Sequence, residues 1–116
     1  MDTGGVTGAE GQIGSELVPA LRERPGVETV VATDISDPEV AGPTEKLDVR
    51  DREAIDAALA EYDVDTVFHL AAILSARGEQ KPQLAFEVNV EGFHNVLEAG
   101  RERGLERLVV PSSIAV

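Results

Sequence analysis

Cysteine and tryptophan are absent from this chain, and aromatic side chains make up only 3% of its 116 residues. Without cysteine there is no disulfide and no thiolate metal site. With so few aromatics, any core must be aliphatic. Lysine is scarce as well, with Lys46 and Lys81 set against eight arginines. No apolar run is long enough to span a bilayer, and the N-terminus lacks the basic-then-apolar pattern of a signal peptide. These absences lead to the expectation of a soluble cytoplasmic protein with no membrane partner.

What the chain has in excess is acid. Its net charge is −12, and such a surface repels phosphate backbones, so no nucleic-acid partner is expected. A merely acidic protein and one adapted to a high-salt interior, where counterions screen self-repulsion, both fit this charge. The length suits one domain with one core. With no paired histidines at helical spacing, no metal site is expected.

The chain is organised around Thr7-Gly8-Ala9-Glu10-Gly11-Gln12-Ile13-Gly14. Glycines at intervals of three, running into an amphipathic segment, describe a loop whose backbone must approach something closely. A pyrophosphate fits, because glycine removes the Cβ atoms that would hold an anion away and the helix N-terminus offers free N–H groups. The preceding residues 1–7 should form the central first strand. Their Gly4-Gly5 pair and Asp2 are poor material for it, and a loose, mobile segment over residues 1–6 is expected.

Further along, Ile13, Leu17 and Leu21 form an apolar helical stripe with Val18 on its flank, interrupted by Pro19 and stopped at Pro25-Gly26. A β-branched run ends at Asp34, a loop covers residues 35–45, and residues 46–49 read as a brief strand. Asp51 suits an N-cap for a helix with Ile55 and Leu59 inside. Residues 65–72 read as another buried strand. Phe86, Val90, Phe93 and Leu97 mark a second long stripe, and Leu108-Val109-Val110 is the last strand. The order β-α-β-β-α-β-α-β predicts an α/β, doubly wound parallel sheet.

Asp34 stands at a strand end twenty residues after Gly14, where an acid accepts ribose hydroxyls and repels a 2′-phosphate, favouring NAD over NADP. Asp48 suits either an adenine amino group or a plain turn beside Arg50 and Asp51. Leu70, Ala71 and Ala72 either pass beneath a cofactor or simply pack. Asn89, between Val88 and Val90, is expected to be a buried amide bridging backbone groups, a role compatible with an active-site network. His69 should pack at a strand, and His94 should lie on a helix surface. Ser113, at the end of a central strand, is either a polar strand end or a group that polarises a substrate oxygen; no base stands beside it.

Taken together, the glycine loop, Asp34, Leu47-Asp48-Val49, His69-Leu70-Ala71-Ala72, Asn89-Val90-x-Gly92 and Pro111-Ser112-Ser113 resemble the extended short-chain dehydrogenase/reductases. That is the NAD-dependent epimerase/dehydratase family. Gly11 to Leu17 and Leu70 to Ala76 look most like its epimerase-type L-threonine 3-dehydrogenases. The resemblance runs over residues 6–116. It implies a Rossmann-type sheet, truncated after about the fifth strand, with residues 1–116 forming an incomplete NAD-binding domain. It implies that Gly8, Gly11 and Gly14 hold the pyrophosphate with Gln12 and Ile13 beside it at the helix start, Asp34 the ribose, and Asp48 and Val49 the adenine. Leu70, Ala71, Ala72 and Asn89 then border the cofactor, Ser75 approaches substrate, and Ser113 is the catalytic serine. In such an enzyme, hydride passes from a secondary alcohol to NAD.

The family's Tyr-x-x-x-Lys lies beyond Ser113, and the sequence ends at Val116. Tyr62, the one tyrosine, has no lysine four residues on. The expectation is therefore no turnover by these residues alone. A non-catalytic dinucleotide-binding module, a partial or degenerate chain, and a portion of a nucleotide-sugar epimerase are the alternatives. A small-molecule substrate is the implied partner of the complete enzyme, and self-association into a homo-oligomer is left open.

Overall fold

A computed structural model describes residues 1–36, 38–39, 42–72 and 80–111. The described elements run β1 (Thr3–Thr7), α1 (Gln12–Glu23), β2 (Thr29–Asp34), β3 (Thr44–Lys46), α2 (Arg52–Glu61) and β4 (Thr66–His69). A continuous helical stretch follows, made of α3 (Pro82–Phe86), a π-helical segment (Glu87–Gly92) and α4 (Phe93–Arg103), before β5 (Arg107–Val109). All strand pairings are parallel, in the order β3-β2-β1-β4-β5. This is the predicted doubly wound α/β sheet.

Strand alternation divides the interior into two cores on opposite faces. Val6, Val30 and Ala32 meet Val18 and Leu21 of α1. On the other face, Val67 meets Ile55 and Leu59 of α2, and Val96 and Ala99 of α4. Burial on both faces is what parallel strands require.

β1 corrects the expected looseness of residues 1–6. It pairs with β2 and β4 on both sides. The room left by Gly4 is taken up by the Met1 side chain and Phe68, and that beside Gly5 by Val64 and Val67. Asp2 stays exposed and is not a buried charge. The Asp65 carboxylate accepts from the Asp2 and Thr3 amides at 2.9 Å, anchoring the start of the strand.

Three further expectations shift. The third strand lies at Thr44–Lys46 rather than over 46–49, because pairing with Ala32 to Asp34 sets its register. In α1 the buried positions are Gly14, Val18 and Leu21, while Ile13 is 58% exposed at the first turn. In the long helical stretch three of the four expected stripe positions face outward, with Phe86 51%, Val90 51% and Leu97 45% exposed, while Phe93 turns inward onto His69. Its buried side is Gly92, Val96, Ala99 and Gly100. Small residues bring the helix close: a Cβ on Gly92 would sit 2.6 Å from Val49 Cγ2. The π turn also changes the register of faces, so a constant helical period does not describe this segment.

Asp51 caps α2 as expected, accepting from the Ala54 amide. Pro82 occupies the first turn of α3, where its missing N–H leaves no bond unmade. No helix among the described residues is long and apolar enough to cross a membrane.

Candidate functional site

The sheet order reverses between β1 and β4. Successive strands move outward one way from β1 to β3, then the chain crosses to β4 on the other side. Loops diverge at such a point and leave a crevice at the carboxyl ends of the strands. Here a cleft of about 350 Å³ opens there. Gly8, Glu10 and Gly11 come from the β1 end, Asp34 and Ile35 from β2, and Leu47, Asp48 and Val49 from β3. Leu70, Ala71 and Ala72 come from β4, with Leu84 and Val88 closing from the helical stretch.

The three glycines have distinct reasons to be glycine. Gly8 has φ +68°, and a Cβ there would lie 2.8 Å from the Ala71 nitrogen. Gly14 is buried, and a Cβ would lie 2.5 Å from the Gly8 carbonyl oxygen and 2.7 Å from Ala9 Cα. Both are demanded by the fold. A Cβ on Gly11 would meet only the Gly8 carbonyl oxygen, at 3.3 Å. Gly11 is exposed and lines the cleft. It is the position whose bareness serves approach from the cleft side.

Gly11 is also the N-cap of α1. No side chain caps this helix and its first turn carries no acid. The positive end of the helix dipole and its unpaired amides are therefore open to an anion.

The two cleft acids are differently employed. Asp34 Oδ2 accepts from the Glu10 amide at 2.9 Å, and Oδ1 from the Ile35 amide at 2.7 Å. A carboxylate offers roughly four lone-pair sites, so Asp34 keeps one on each oxygen, enough for a pair of vicinal hydroxyls. Asp48 instead accepts from Arg50 four times: from the backbone amide and Nε on Oδ1, and from Nε and Nη2 on Oδ2. Arg50 holds the Asp48 carboxyl below the usual carboxylate range. Its Nη1 reaches Glu87 at 3.3 Å, linking this acid to the helical stretch.

The cleft fits a dinucleotide. The glycine cradle would be filled by a Cβ, the helix end faces an anion without competition, and Asp34 has spare acceptors for a ribose. Glu10, whose amide bonds Asp34, is a second acid in the cleft lining, its carboxylate held by the Glu39 amide at 2.6 Å. A 2′-phosphate on a ribose held by Asp34 would meet its charge.

Among the other predicted residues, Gln12, Ile13 and Gly14 form the first turn of α1 beside Gly11. Asn89 is exposed on the π-helical segment, not buried as expected, and it is not among the described residues that line the cleft. Ser75 and Ser113 lie outside the described residues. His94 is exposed as expected.

His69 is buried in β4, as expected, and stacks on Phe93 with ring centroids 5.7 Å apart. Desolvation pushes its pKa down to about 4. Tyr62 donates to Glu45 at 3.0 Å, and that hydrogen bond raises its pKa, the wrong direction for a proton acceptor. No group of three or more metal-ligating side chains occurs among the described residues.

Two contributors escaped the sequence reading. Asn95 donates from Nδ2 to the Val49 carbonyl at 3.0 Å, fixing the β3 end against α4. Thr7 Oγ1 accepts from the Leu70 and Ala71 amides at 3.0 and 3.2 Å, tying the start of the glycine loop to the cleft floor. Polar residues flanking core positions were the available signal for both.

Comparison with known proteins agrees with this geometry. An uncharacterized epimerase/dehydratase of Staphylococcus epidermidis is 47% identical over 114 residues, covering 94% of this chain and 36% of its own length. The L-threonine dehydrogenase of Clostridium difficile superposes with a TM-score of 0.92 at 41% identity, over 99% of this chain and 37% of that one. The UDP-glucose 4-epimerase of Thermus thermophilus, in complex with NAD, superposes with a TM-score of 0.78 at 36% identity, over 91% of this chain and 36% of that one. The chain thus spans little more than a third of the length of the relatives it matches. The profile of the NAD dependent epimerase/dehydratase family matches residues 5–116, and with the cleft described above this places the chain in that family.

Proposed function

We propose that this chain is the NAD-binding portion of an oxidoreductase that takes hydride from a secondary alcohol, with L-threonine or a close analogue as substrate. The observation that carries the cofactor assignment is the contrast between Asp34, with acceptors to spare beside an uncapped helix end, and the bare Gly11 between them. The closer likeness to the threonine dehydrogenase than to the UDP-glucose epimerase supports the substrate class.

In this reading Gly8, Gly11 and the first turn of α1, with Gln12, Ile13 and Gly14, hold the pyrophosphate. Asp34 accepts the adenosine ribose, and the Asp48-Val49 turn borders the base. Leu70, Ala71 and Ala72 form the apolar floor that excludes water. Bound NAD supplies the hydride acceptor. The alcohol carbon loses hydride and its hydroxyl loses a proton, giving a ketone, NADH and a proton. Ser113 is assigned to the reacting oxygen and Ser75 to the substrate. Tyr62, bonded to Glu45 and without a lysine partner, is not the group that takes the proton.

A chimera tests this reading. Residues 1–116 would replace the corresponding portion of the Clostridium difficile L-threonine dehydrogenase, and NADH formation from threonine would be followed by absorbance. The expected result is threonine-dependent NADH formation that Asp34→Ala reduces. A folded chimera that binds threonine yet forms no NADH would overturn the assignment.

A further inference from the structure

We infer that His69 is a positioning residue for the cleft floor, fixing the direction of the Thr7 hydroxyl proton so that Oγ1 can hold the Leu70 and Ala71 amides. The link to nucleotide binding rests on the function proposed above; the link between His69 and the floor does not.

Thr7 and His69 are register partners on the paired central strands β1 and β4. Both side chains are buried, and Thr7 Oγ1 lies 2.8 Å from His69 Nδ1. A hydroxyl has one proton to give and two lone pairs. Both lone pairs of Thr7 Oγ1 face floor amides, that of Ala71 and that of Leu70, the latter shared with the Thr7 carbonyl at 3.2 Å. The contact with His69 must therefore run from Thr7 to the ring, with Nδ1 accepting. That assigns the neutral tautomer with its proton on Nε2. A proton on Nδ1 would compete for a lone pair that a floor amide already uses.

The consequence reaches the glycine loop because there is no slack between them. Gly8 follows Thr7 directly, and its Cα faces the Leu70–Ala71 peptide so closely that a Cβ would lie 2.8 Å from two of its atoms. If the floor peptide shifts, Gly8 shifts with it. The ring itself is held by its stack on Phe93 of α4, at an interplanar angle of 15°. His69 thus joins the long helical stretch to the phosphate loop through one hydroxyl.

The test uses nitrogen-15 NMR and amide exchange on the chain and two variants. His69→Asn keeps an acceptor near the position of Nδ1. His69→Phe keeps an aromatic ring for Phe93 but removes the acceptor. The parent ring is expected to show an unprotonated Nδ1 and a protonated Nε2. Exchange of the Ala71 amide is expected to rise about tenfold or more in His69→Phe and to return toward the parent rate in His69→Asn, with the Val30 and Val31 amides unchanged in both. Calorimetric NAD affinity should follow the same order.

A protonated Nδ1 in the parent, or equal protection of the Ala71 amide in parent and His69→Phe, would overturn the inference. Should His69→Phe fail to fold, the parent tautomer still decides. Absence of NAD binding by the parent would sink the functional reading, while the tautomer and exchange measurements would continue to judge His69.

Discussion

Arg50 grips the Asp48 carboxylate on both oxygens, with Nη2 to Oδ2 at 2.7 Å and Nε to Oδ1 at 3.0 Å. Asp34, at the equivalent end of β2, is bonded only by two backbone amides. Two acids that look interchangeable along the chain therefore differ in what they can still accept. Asp34→Ala is expected to weaken NAD binding by about 10- to 100-fold, the worth of charge-assisted hydrogen bonds, and Asp48→Ala by less than about tenfold. Titration of both variants ranks them, and the reverse ranking contradicts the assignment.

The Arg50 pairs are partly exposed, with side-chain exposures of 35% and 32% for Arg50 and Asp48. Solvent screens such pairs, so their contribution to folding is small. Arg50→Met is expected to leave the urea-unfolding midpoint close to that of the parent. A large drop in the midpoint would mean that the Asp48–Arg50–Glu87 link holds the helical stretch in place.

The glycines separate fold from binding. Gly14→Ala forces a Cβ onto backbone atoms of Gly8 and Ala9, and strain of this kind costs about 1–3 kcal/mol or more. Gly11→Ala meets one oxygen at 3.3 Å and should unfold near the parent temperature, yet bind NAD more weakly. A Gly11→Ala variant with parental affinity would show that nothing approaches this residue closely.

Gly5 offers the opposite outcome. Its φ is not positive, and a Cβ would make ordinary contacts with Val64, at 3.4 Å, and Val67, at 3.9 Å. It also lines an apolar void of about 30 Å³. Gly5→Ala should stabilise the chain by about 0.4–1 kcal/mol, by restricting the unfolded chain and filling space. A lower thermal midpoint would contradict this packing at β1.

His69 predicts a pH dependence. Its pKa falls from 6.5 to about 4 on folding through desolvation. The unfolded chain therefore takes up the proton first as pH falls. Stability from keeping this ring neutral is complete above pH 6.5 and is lost progressively toward pH 4, by on the order of 3 kcal/mol. Denaturant unfolding between these values should show the slope in the parent, and His69→Asn should flatten it. An unchanged slope in His69→Asn would assign the dependence to the carboxylates.

What was legible in the sequence was local. The glycine spacing, Asp34 at a strand end and Asp51 at a helix start all act within a few residues of where they stand. The errors arose where distant residues supply the missing contact. Gly4 and Gly5 read as a weak strand because Met1, Val64, Val67 and Phe68 fill the space beside them only after folding. Along the long helical stretch Phe86, Val90 and Leu97 read as inner positions, yet burial there falls on Gly92, Ala99 and Gly100, which let the backbone approach. Thr7 and His69 stand 62 residues apart, and only the parallel register of β1 and β4 joins them.

Calorimetric titration of the chain with NAD and with NADP, repeated on Asp34→Ala, tests the central claim most directly. The account predicts saturable NAD binding, weaker NADP binding because Asp34 opposes a 2′-phosphate, and loss of this preference in the variant. No binding of either dinucleotide, or tighter binding of NADP by the parent, would contradict it.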